Sequence, residues 1–372
     1  MKRRRHNHNY CLPNRENKDR LSDLPNCLLL HILSFLNAEL VVRTCILSKR
    51  WNNLWKFLPI LRLGSVKKSD QFMSKILSHR DSSTTLHTLH FHRYVFRKQC
   101  QAKQIIKYAV SHNVRDLDIY LKCSFQPFPR SLFTCRTLTS LKLYIFLPPP
   151  PRISRRVFFP KFLNLPALTS LSLRSFTFLV GHDGRVEPFS TLNKLNSLII
   201  NKCEVLGEKN LCISSATLVN LTIMTSNREP TAFFGFNLSA PNLSTFNFTG
   251  LPFQKLCQSN GNLSMVKHLS INVKNCFYLT DGSTPFVLLN WLVELANIKS
   301  LTLTSSTLKV LSHAPDLLKS EFSSLCNMES LNVKKESKSP LPDGLVEFLL
   351  QNSPSAEPGA PLITNKADIV TK

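Results

Sequence analysis

Glycine and acidic residues are scarce in this chain, and both shortages restrict the chemistry it can perform. Of its 372 residues, 10 are glycine and 23 are Asp or Glu, against 47 that are Lys or Arg. So few glycines leave little material for a phosphate-cradling loop, and neither G-x-x-x-x-G-K-S/T nor G-x-G-x-x-G occurs. H-E-x-x-H is absent too, and no cysteine stands in a recognisable nucleophile context. We therefore expect a protein with no catalytic residue and no cofactor.

Long apolar runs and paired cysteines are also missing. No apolar run has the roughly 20 residues needed to cross a bilayer, and the basic start MKRRR has no apolar core behind it, as a secretory signal would. The 11 cysteines never stand at C-x-x-C spacing, which argues against a zinc ribbon, and their odd number favours reduced thiols. These absences predict a protein of the nucleus, the cytoplasm or both, with no membrane partner.

Residues 19–59 have the pattern of a compact helical module. Six apolar residues share one helical stripe: Leu24, Leu28, Leu29, Ile32, Leu33 and Leu36. Pro25 suits a first helical turn, and Asp23 or Asn26 could cap it. A second helix is predicted from Ala38 to about Cys45. A third, near residues 49–56, would place Trp51 and Trp55 on one face.

Behind this module the chain repeats the pattern apolar-x-x-apolar-x-apolar. Eleven copies begin at Leu58, Leu86, Val114, Leu138, Leu168, Leu195, Leu218, Leu243, Val266, Ile298 and Met328. The first and last copies begin 270 residues apart, so the ten intervals average 27 residues, as leucine-rich repeats do. Because strand residues alternate between faces, each copy predicts a strand with its last two apolar residues facing a shared core. Helices at 70–79 and 101–111 would cover the outside, and the strict alternation argues against an all-helical solenoid.

The module resembles the F-box in its plant form. The matching pieces are LSDLPNCLLLHILSFL, then VVRTCILSKRWNNLW, then Leu58-Pro59, in the expected order and spacing. The resemblance implies binding to a Skp-family adaptor and, through it, to a cullin ubiquitin ligase. The residues that it assigns to the adaptor are Leu24, Pro25, Leu28, Leu29, Ile32, Leu33, Leu36, Val42, Leu47, Trp51 and Trp55. Without the ordered motifs, an end cap for the repeats would be the simpler interpretation.

The whole layout resembles the plant F-box proteins with leucine-rich repeats, and 339–357 resembles the end of the FBD module. The predicted fold is α+β: a three-helix F-box followed by a curved α/β solenoid with an irregular parallel sheet. Five segments are predicted: a disordered basic tail (1–18), the F-box (19–59), the repeats (58–336), an FBD-like cap (337–355) and a disordered tail (356–372).

Positive charge is concentrated in the early repeats. Residues 58–180 contain 20 Lys or Arg against 4 Asp or Glu, whereas residues 181–372 contain 16 against 15. Such asymmetry suggests an acidic partner, although a solvated basic surface without a ligand explains it equally well. Candidate target-binding residues at outward strand positions are Arg62, His90, His92, Lys142 and Arg174. Nucleic-acid binding is not favoured, because no DNA or RNA motif is present.

His87, His90 and His92 form the densest histidine cluster in the sequence. His90 and His92 would share one strand face, but no cysteine or carboxylate near them in the sequence completes a ligand set. Ordinary surface histidines are therefore the favoured interpretation, and no metal site is predicted.

The sequence leaves three functions open. The favoured one is a non-catalytic substrate receptor of a ubiquitin ligase. The alternatives are a repeat scaffold that binds a partner without ligase assembly, and a receptor gated by a small molecule.

Overall fold

The computed structural model describes residues 21, 23–64, 70–93, 99–122, 128–146, 156–181, 184–206, 210–225, 235–252, 256, 263–274, 283–295, 297–313, 327–336, 347, 349 and 357–358. The α-helices are α1 Asn26–Ser34, α2 Ala38–Arg43, α3 Asp70–His79, α4 Gln99–Ser111, α5 Ser283–Glu294 and α6 Ser305–Leu311. Three 3-10 helices span Thr44–Ile46, Trp51–Phe57 and Arg130–Thr134. None of the helices in this described part is long and apolar enough to cross a membrane.

The strands follow the helical module. They are β1 Ile60–Leu63, β2 Thr88–Arg93, β3 Asp116–Lys122, β4 Ser140–Phe146, β5 Ser170–Arg174, β6 Thr177–Phe178, β7 Ser197–Asn201, β8 Glu204–Val205, β9 Leu211–Ser214, β10 Asn220–Met224, β11 Phe236–Ser239, β12 Thr245–Gly250, β13 His268–Val273, β14 Ser300–Thr304, β15 Ser330–Lys334 and β16 Glu357–Pro358. Strands β6 with β8, and β9 with β11, form two small parallel sheets.

The N-terminal module packs α1, α2 and its two 3-10 helices around a small apolar centre. Leu29, Leu33, Val41, Trp51 and Leu54 are buried there. The first two helices lie where the sequence predicts them. The helix predicted near residues 49–56 is a 3-10 helix, Trp51–Phe57, rather than an α-helix. No side chain caps α1: Pro25 takes the N-cap position, and the predicted caps Asp23 and Asn26 do not act as such. The start of α2 is capped, because the Asn37 side chain accepts a hydrogen bond from the Leu40 backbone N–H at 2.9 Å.

One large parallel sheet organises the rest of the chain. Its order is β1-β2-β3-β4-β5-β7-β10-β12-β13-β14-β15-β16, so its strands follow one another as they do in the sequence. A strand forms at each of the eleven predicted copies. The copies also pair in register: Leu61, Leu89, Leu117, Leu141 and Leu171 are successive partners, and all five are buried. The result is a mixed helix and strand structure with an N-terminal helical module, consistent with a repeat solenoid.

The segments between strands change along the chain. Helices α3 and α4 lie between the first strands, as predicted, although α4 begins two residues earlier than expected. Around the middle of the sheet the two small sheets take this place, which the repeat pattern does not predict. Phe159, Phe176, Phe178 and Phe189 meet there at ring separations of 5.6–6.1 Å. Such edge-to-face contacts fill a core without requiring a regular helix.

A buried arginine joins the helical module to the sheet. Arg80, at the end of α3, is 5% exposed. Its guanidinium donates to the carbonyls of Leu58 (2.8 Å), Thr84 (2.9 Å) and Thr85 (3.0 Å) and to the Tyr108 hydroxyl (3.3 Å). Leu58 lies two residues before β1, so this one side chain holds the chain where it leaves the module and where it approaches β2.

The two chain ends lie mostly outside the described residues, including the tail 1–18 and most of the FBD-like segment 337–355. Within that segment Glu347 and Leu349 are helical, and Leu349 is buried. Strand β16 pairs with β15 and falls in the stretch 356–372 that the sequence analysis assigned to a tail.

Candidate functional site

An apolar surface covers the outside of the helical module. Among the described residues, 14 large hydrophobic side chains are exposed, and eight of these lie within residues 21–57. These eight, the apolar surface, are Leu21, Leu28, Ile32, Phe35, Leu40, Ile46, Leu47 and Phe57. On α1 and its C-cap, the spacing of Leu28, Ile32 and Phe35 places them on one helical face, about 100° around the helix from the buried Leu29 and Leu33. Exposed large apolar residues concentrated in one small module are typical of a surface that binds another molecule.

The predicted adaptor-binding residues divide into three groups. Leu28, Ile32, Leu47 and Pro25 are exposed, and Leu24, Leu36, Val42 and Trp55 are half-buried. Leu29, Leu33 and Trp51 are buried in the module's own core, so they support the surface from beneath. Phe35, Ile46 and Leu40 belong to the exposed set, but the sequence analysis did not select them. Ile46 is 88% exposed. Such exposure identifies an apolar residue as part of the surface, and it cannot be read from the sequence alone.

Arg50 connects the two ends of the module. Its guanidinium donates to the Asn26 side-chain oxygen at 2.8 Å and to the Leu24 carbonyl at 2.5 Å. The arginine of the LSKRW segment therefore contacts the residues around Leu24-Pro25. The first and second sequence pieces of the module therefore meet in space at the start of α1.

A second surface lies on the outer face of the sheet, opposite the buried leucine ladders. We call it the outer-face patch; its members are His90, His92, Asp118, Tyr120, Lys142, Tyr144, Phe146 and Arg174. Strand register places all of them except Phe146 in two rows. One row continues from Arg62 of β1 through His90, Asp118 and Lys142, and the other runs from His92 through Tyr120 and Tyr144 to Arg174. Phe146 follows Tyr144 two residues later on β4. All five predicted target-binding residues thus lie on strands β1, β2, β4 and β5. Arg62 is engaged with the helical module, because its Nε donates to the Ser34 carbonyl at 3.0 Å.

Aromatic side chains that the sequence analysis missed form the centre of this patch. The Tyr120 ring lies 4.6 Å from His92 and 4.4 Å from Tyr144. The Arg174 guanidinium stacks over Phe146 at 4.5 Å, in cation–π contact. Burial raises the pKa of Tyr120 to about 12, with smaller contributions from Tyr144 and Asp118, so its hydroxyl stays protonated and can donate a hydrogen bond. Aligning the repeats one position beyond each core pair would have revealed Tyr120 and Tyr144.

Asp118 corrects one argument from the sequence. No carboxylate completes a ligand set near His90 and His92 in the sequence, but Asp118 on β3 lies directly opposite His90. Its Oδ2 lies 3.3 Å from His90 Nδ1 and 3.6 Å from His92 Nε2. Burial alone would raise the pKa of Asp118. The hydrogen bond with His90 and the charges of the two histidines outweigh that effect and lower this pKa to about 2, so the carboxylate is ionised.

Comparison with known proteins decides what the helical module is. The family model of the F-box domain matches residues 21–63. The chain contains an F-box domain. The match covers α1, α2, both 3-10 helices of the module and β1, which are the elements that carry the apolar surface and the Arg50 contact.

The relatives of this F-box chain extend the comparison to the repeats. An F-box/FBD/LRR-repeat protein of Arabidopsis thaliana is 30% identical over 63% of this chain and 54% of its own length. An F-box/LRR-repeat protein of the same plant is 28% identical over 91% of this chain and 76% of the relative. An FBD-associated F-box protein is 34% identical over 43% of this chain and 40% of the relative. The chain therefore spans about half the length of the first relative, and the predicted resemblance to plant F-box/LRR proteins is confirmed.

An open cleft of about 910 Å³ lies beside α4 and the 3-10 helix Arg130–Thr134. Cationic and aromatic residues line it together, including Lys103, Lys107, Arg130 and Lys161 beside the exposed Phe158 and Phe162. This pairing suits a ligand that is both apolar and anionic.

We expect the cysteines of the F-box chain to differ sharply in reactivity. Cys27 is exposed on α1, next to Leu28 of the apolar surface. Cys203 is buried, and this burial raises its pKa to about 12, so almost no reactive thiolate forms. Iodoacetamide should therefore label Cys27 in minutes and Cys203 only after denaturation, as peptide mass spectrometry would show. Equal labelling of both thiols in the folded protein would contradict the described packing.

Proposed function

We propose that this chain is the substrate-recognition subunit of an SCF-type cullin ubiquitin ligase, in which the F-box binds a Skp-family adaptor. F-box domains generally bind such adaptors. The observation that carries the proposal is the apolar surface, which exposes eight large hydrophobic residues on the part of the chain that the F-box model matches. In an isolated protein this exposure would be unfavourable, since burying each such side chain is worth about 1.5–3 kcal/mol. An adaptor that covers the apolar surface would remove these side chains from water and so offset the unfavourable exposure.

We further propose that the sheet is a curved leucine-rich-repeat solenoid whose outer face binds the target. The sequential parallel strands with their in-register core ladders support this, as do relatives named for such repeats. The outer-face patch is the favoured contact region, because it combines the exposed Lys142 and the half-buried Arg174 with aromatic rings. An acidic target segment would be attracted there by the positive charge of residues 58–180. The nucleus or the cytoplasm is the proposed location.

The proposed mechanism needs no bond chemistry from this chain. The receptor holds a target lysine near a ubiquitin carried by another subunit, which raises the effective concentration of the two reactants. The chain therefore contributes by positioning the target. The F-box attaches it to the ligase, and the outer face of the neighbouring sheet binds the target.

Co-purification with a Skp-family adaptor and a cullin tests this proposal directly. The intact chain should form a stable complex with the adaptor and retain the cullin only when the adaptor is present. In that complex alkylation of Cys27 should slow severalfold, because Cys27 lies beside Leu28 on α1. Failure of the folded, intact chain to retain any adaptor would overturn the proposal. Adaptor binding without cullin recruitment would favour the repeat scaffold that functions outside a ligase.

A receptor gated by a small molecule is the second candidate, and the cleft beside α4 favours it. Its cationic and aromatic lining could hold an anionic apolar compound. In that case target binding would depend on the added compound, whereas the direct receptor binds its target without one.

A further inference from the structure

The outer-face patch contains three side chains whose ligand atoms converge. His90 and His92 are two residues apart on β2 and point to the same face, and Asp118 comes from the neighbouring strand β3. One ligand atom from each residue takes part, and these three atoms all lie within 4.8 Å of one another. His90 Nδ1 and His92 Nε2 both approach Asp118 Oδ2. Two imidazole nitrogens and one carboxylate oxygen are thus presented on one side of the sheet, from backbone that the sheet holds rigid.

Contacts within the protein leave this cluster incompletely satisfied. His92 Nε2 is 3.6 Å from Asp118 Oδ2, which is too long for a hydrogen bond. His92 Nε2 and Asp118 Oδ1 are both inaccessible to solvent and have no hydrogen-bond partner among the described residues. A buried polar atom left without a partner costs about 1–3 kcal/mol. A cation placed among the three side chains would accept electron pairs from His92 Nε2 and from the Asp118 carboxylate.

The donor set and its spacing match those of a first-row divalent metal. Two histidines and one carboxylate bind Zn²⁺ at about 2.0–2.2 Å, which places neighbouring ligand atoms roughly 3.3–3.5 Å apart around a tetrahedral ion. The observed 3.3 Å and 3.6 Å separations from Asp118 Oδ2 are close to that spacing. Three protein ligands from one side also leave coordination positions open toward solvent.

The surrounding charge opposes a cation but does not fill the site. Arg62 flanks His90 in the strand register, and Lys142 flanks Asp118. Arg62 is turned toward the Ser34 carbonyl of α1, and Lys142 is exposed. Asp118 contributes the one carboxylate of the cluster. Two imidazole nitrogens among three ligands favour transition metals over Mg²⁺ or Ca²⁺, which prefer oxygen ligands.

We propose that His90, His92 and Asp118 form a binding site for a divalent transition-metal ion such as Zn²⁺ on the outer face of strands β2 and β3. The site goes beyond the proposed ligase function and does not depend on it. Because it lies within the outer-face patch, the bound ion would offer its open positions to a carboxylate or imidazole of a partner protein.

Titration of the full, chelator-treated chain with Zn²⁺ by calorimetry tests the site. One equivalent should bind to the intact protein, and His92→Ala and Asp118→Asn should each weaken binding at least about tenfold, the lower end of what loss of even an outer-shell partner causes. His87→Ala is the matched control: this exposed histidine is three residues from His90 and outside the cluster, so its affinity should equal that of the intact chain.

Thermal melting provides a second readout that does not rely on calorimetry. Zn²⁺ should raise the melting midpoint of the intact chain and of His87→Ala, but not of His92→Ala or Asp118→Asn, because a ligand stabilises only the form that binds it. Unchanged affinity in both cluster variants would show that the ion binds elsewhere, for instance at a cysteine, and would overturn the proposal. Absence of binding to the intact chain would do the same and would leave the trio as an Asp118 ion-pair cluster.

Discussion

Replacing Leu28 and Ile32 together with aspartate should abolish adaptor binding while leaving the F-box folded. The two side chains are 48% and 40% exposed on one face of α1, so the free protein tolerates a charge at either position. In a complex each residue would be buried, and its apolar contact is worth about 1.5–3 kcal/mol. Burying an unpaired carboxylate there adds a further penalty. Each single variant should therefore bind at least about a hundredfold more weakly, and the double variant should show no detectable binding by calorimetry.

Two control variants sharpen this prediction. Met265 is also 48% exposed, but it lies just before β13, so Met265→Asp should bind the adaptor as the unmodified chain does. Leu33 is 1% exposed in the F-box core, so Leu33→Asp should lose binding together with helical signal. Retained affinity in the folded double variant would show that the apolar face of α1 is not the adaptor contact.

Replacing Arg80 with methionine should lower the free energy of unfolding by about 3 kcal/mol. Methionine fills a similar volume, but it leaves the carbonyls of Leu58, Thr84 and Thr85 without their common donor. The free energy of unfolding of Arg80→Lys should lie between those of the intact chain and Arg80→Met. An ammonium group can donate to a carbonyl, but it cannot reproduce the planar guanidinium that reaches several carbonyls at once. Urea denaturation followed by circular dichroism would measure the difference.

The exposed Arg136 provides the control for this substitution. Arg136→Met should change the free energy of unfolding by no more than about 0.5 kcal/mol, as is usual at the surface. Limited proteolysis adds a local readout, since loss of Arg80 should speed cleavage between residues 58 and 86 before the rest of the sheet is cut. A stable Arg80→Met protein with unchanged cleavage would mean that the Leu58 carbonyl does not need this donor.

The strands could be predicted from sequence because each copy carries its own apolar alternation. Leu61 and Leu63 define β1 as clearly as Leu301 and Leu303 define β14, and the register follows once equivalent positions are aligned. The bounds of α3 could also be predicted, because the amphipathic pattern of a helix is contained in its own residues. The small sheets β6–β8 and β9–β11 were not, since two-residue and four-residue strands leave too little pattern to recognise.

The candidate sites were less predictable because they depend on what lies across a strand or beneath a helix. Asp118 is 28 residues from His90 in sequence and directly opposite it in space, a relation that the length of one repeat determines. On α1 the stripe Leu24–Leu36 identifies apolar residues without indicating which side packs inward. The structure divides that stripe, burying Leu29 and Leu33 and exposing Leu28 and Ile32.

The sequential order of the large sheet also gives the chain a length scale. Neighbouring strands are about 4.8 Å apart, so β5 lies about 20 Å from β1 along the sheet and β15 about 48 Å from it. A molecule bound on the outer-face patch would stay within one small-domain diameter of the F-box, whereas one bound at the far strands would sit more than twice as far away. The strand to which a partner binds therefore determines the distance between that partner and the molecule bound to the F-box.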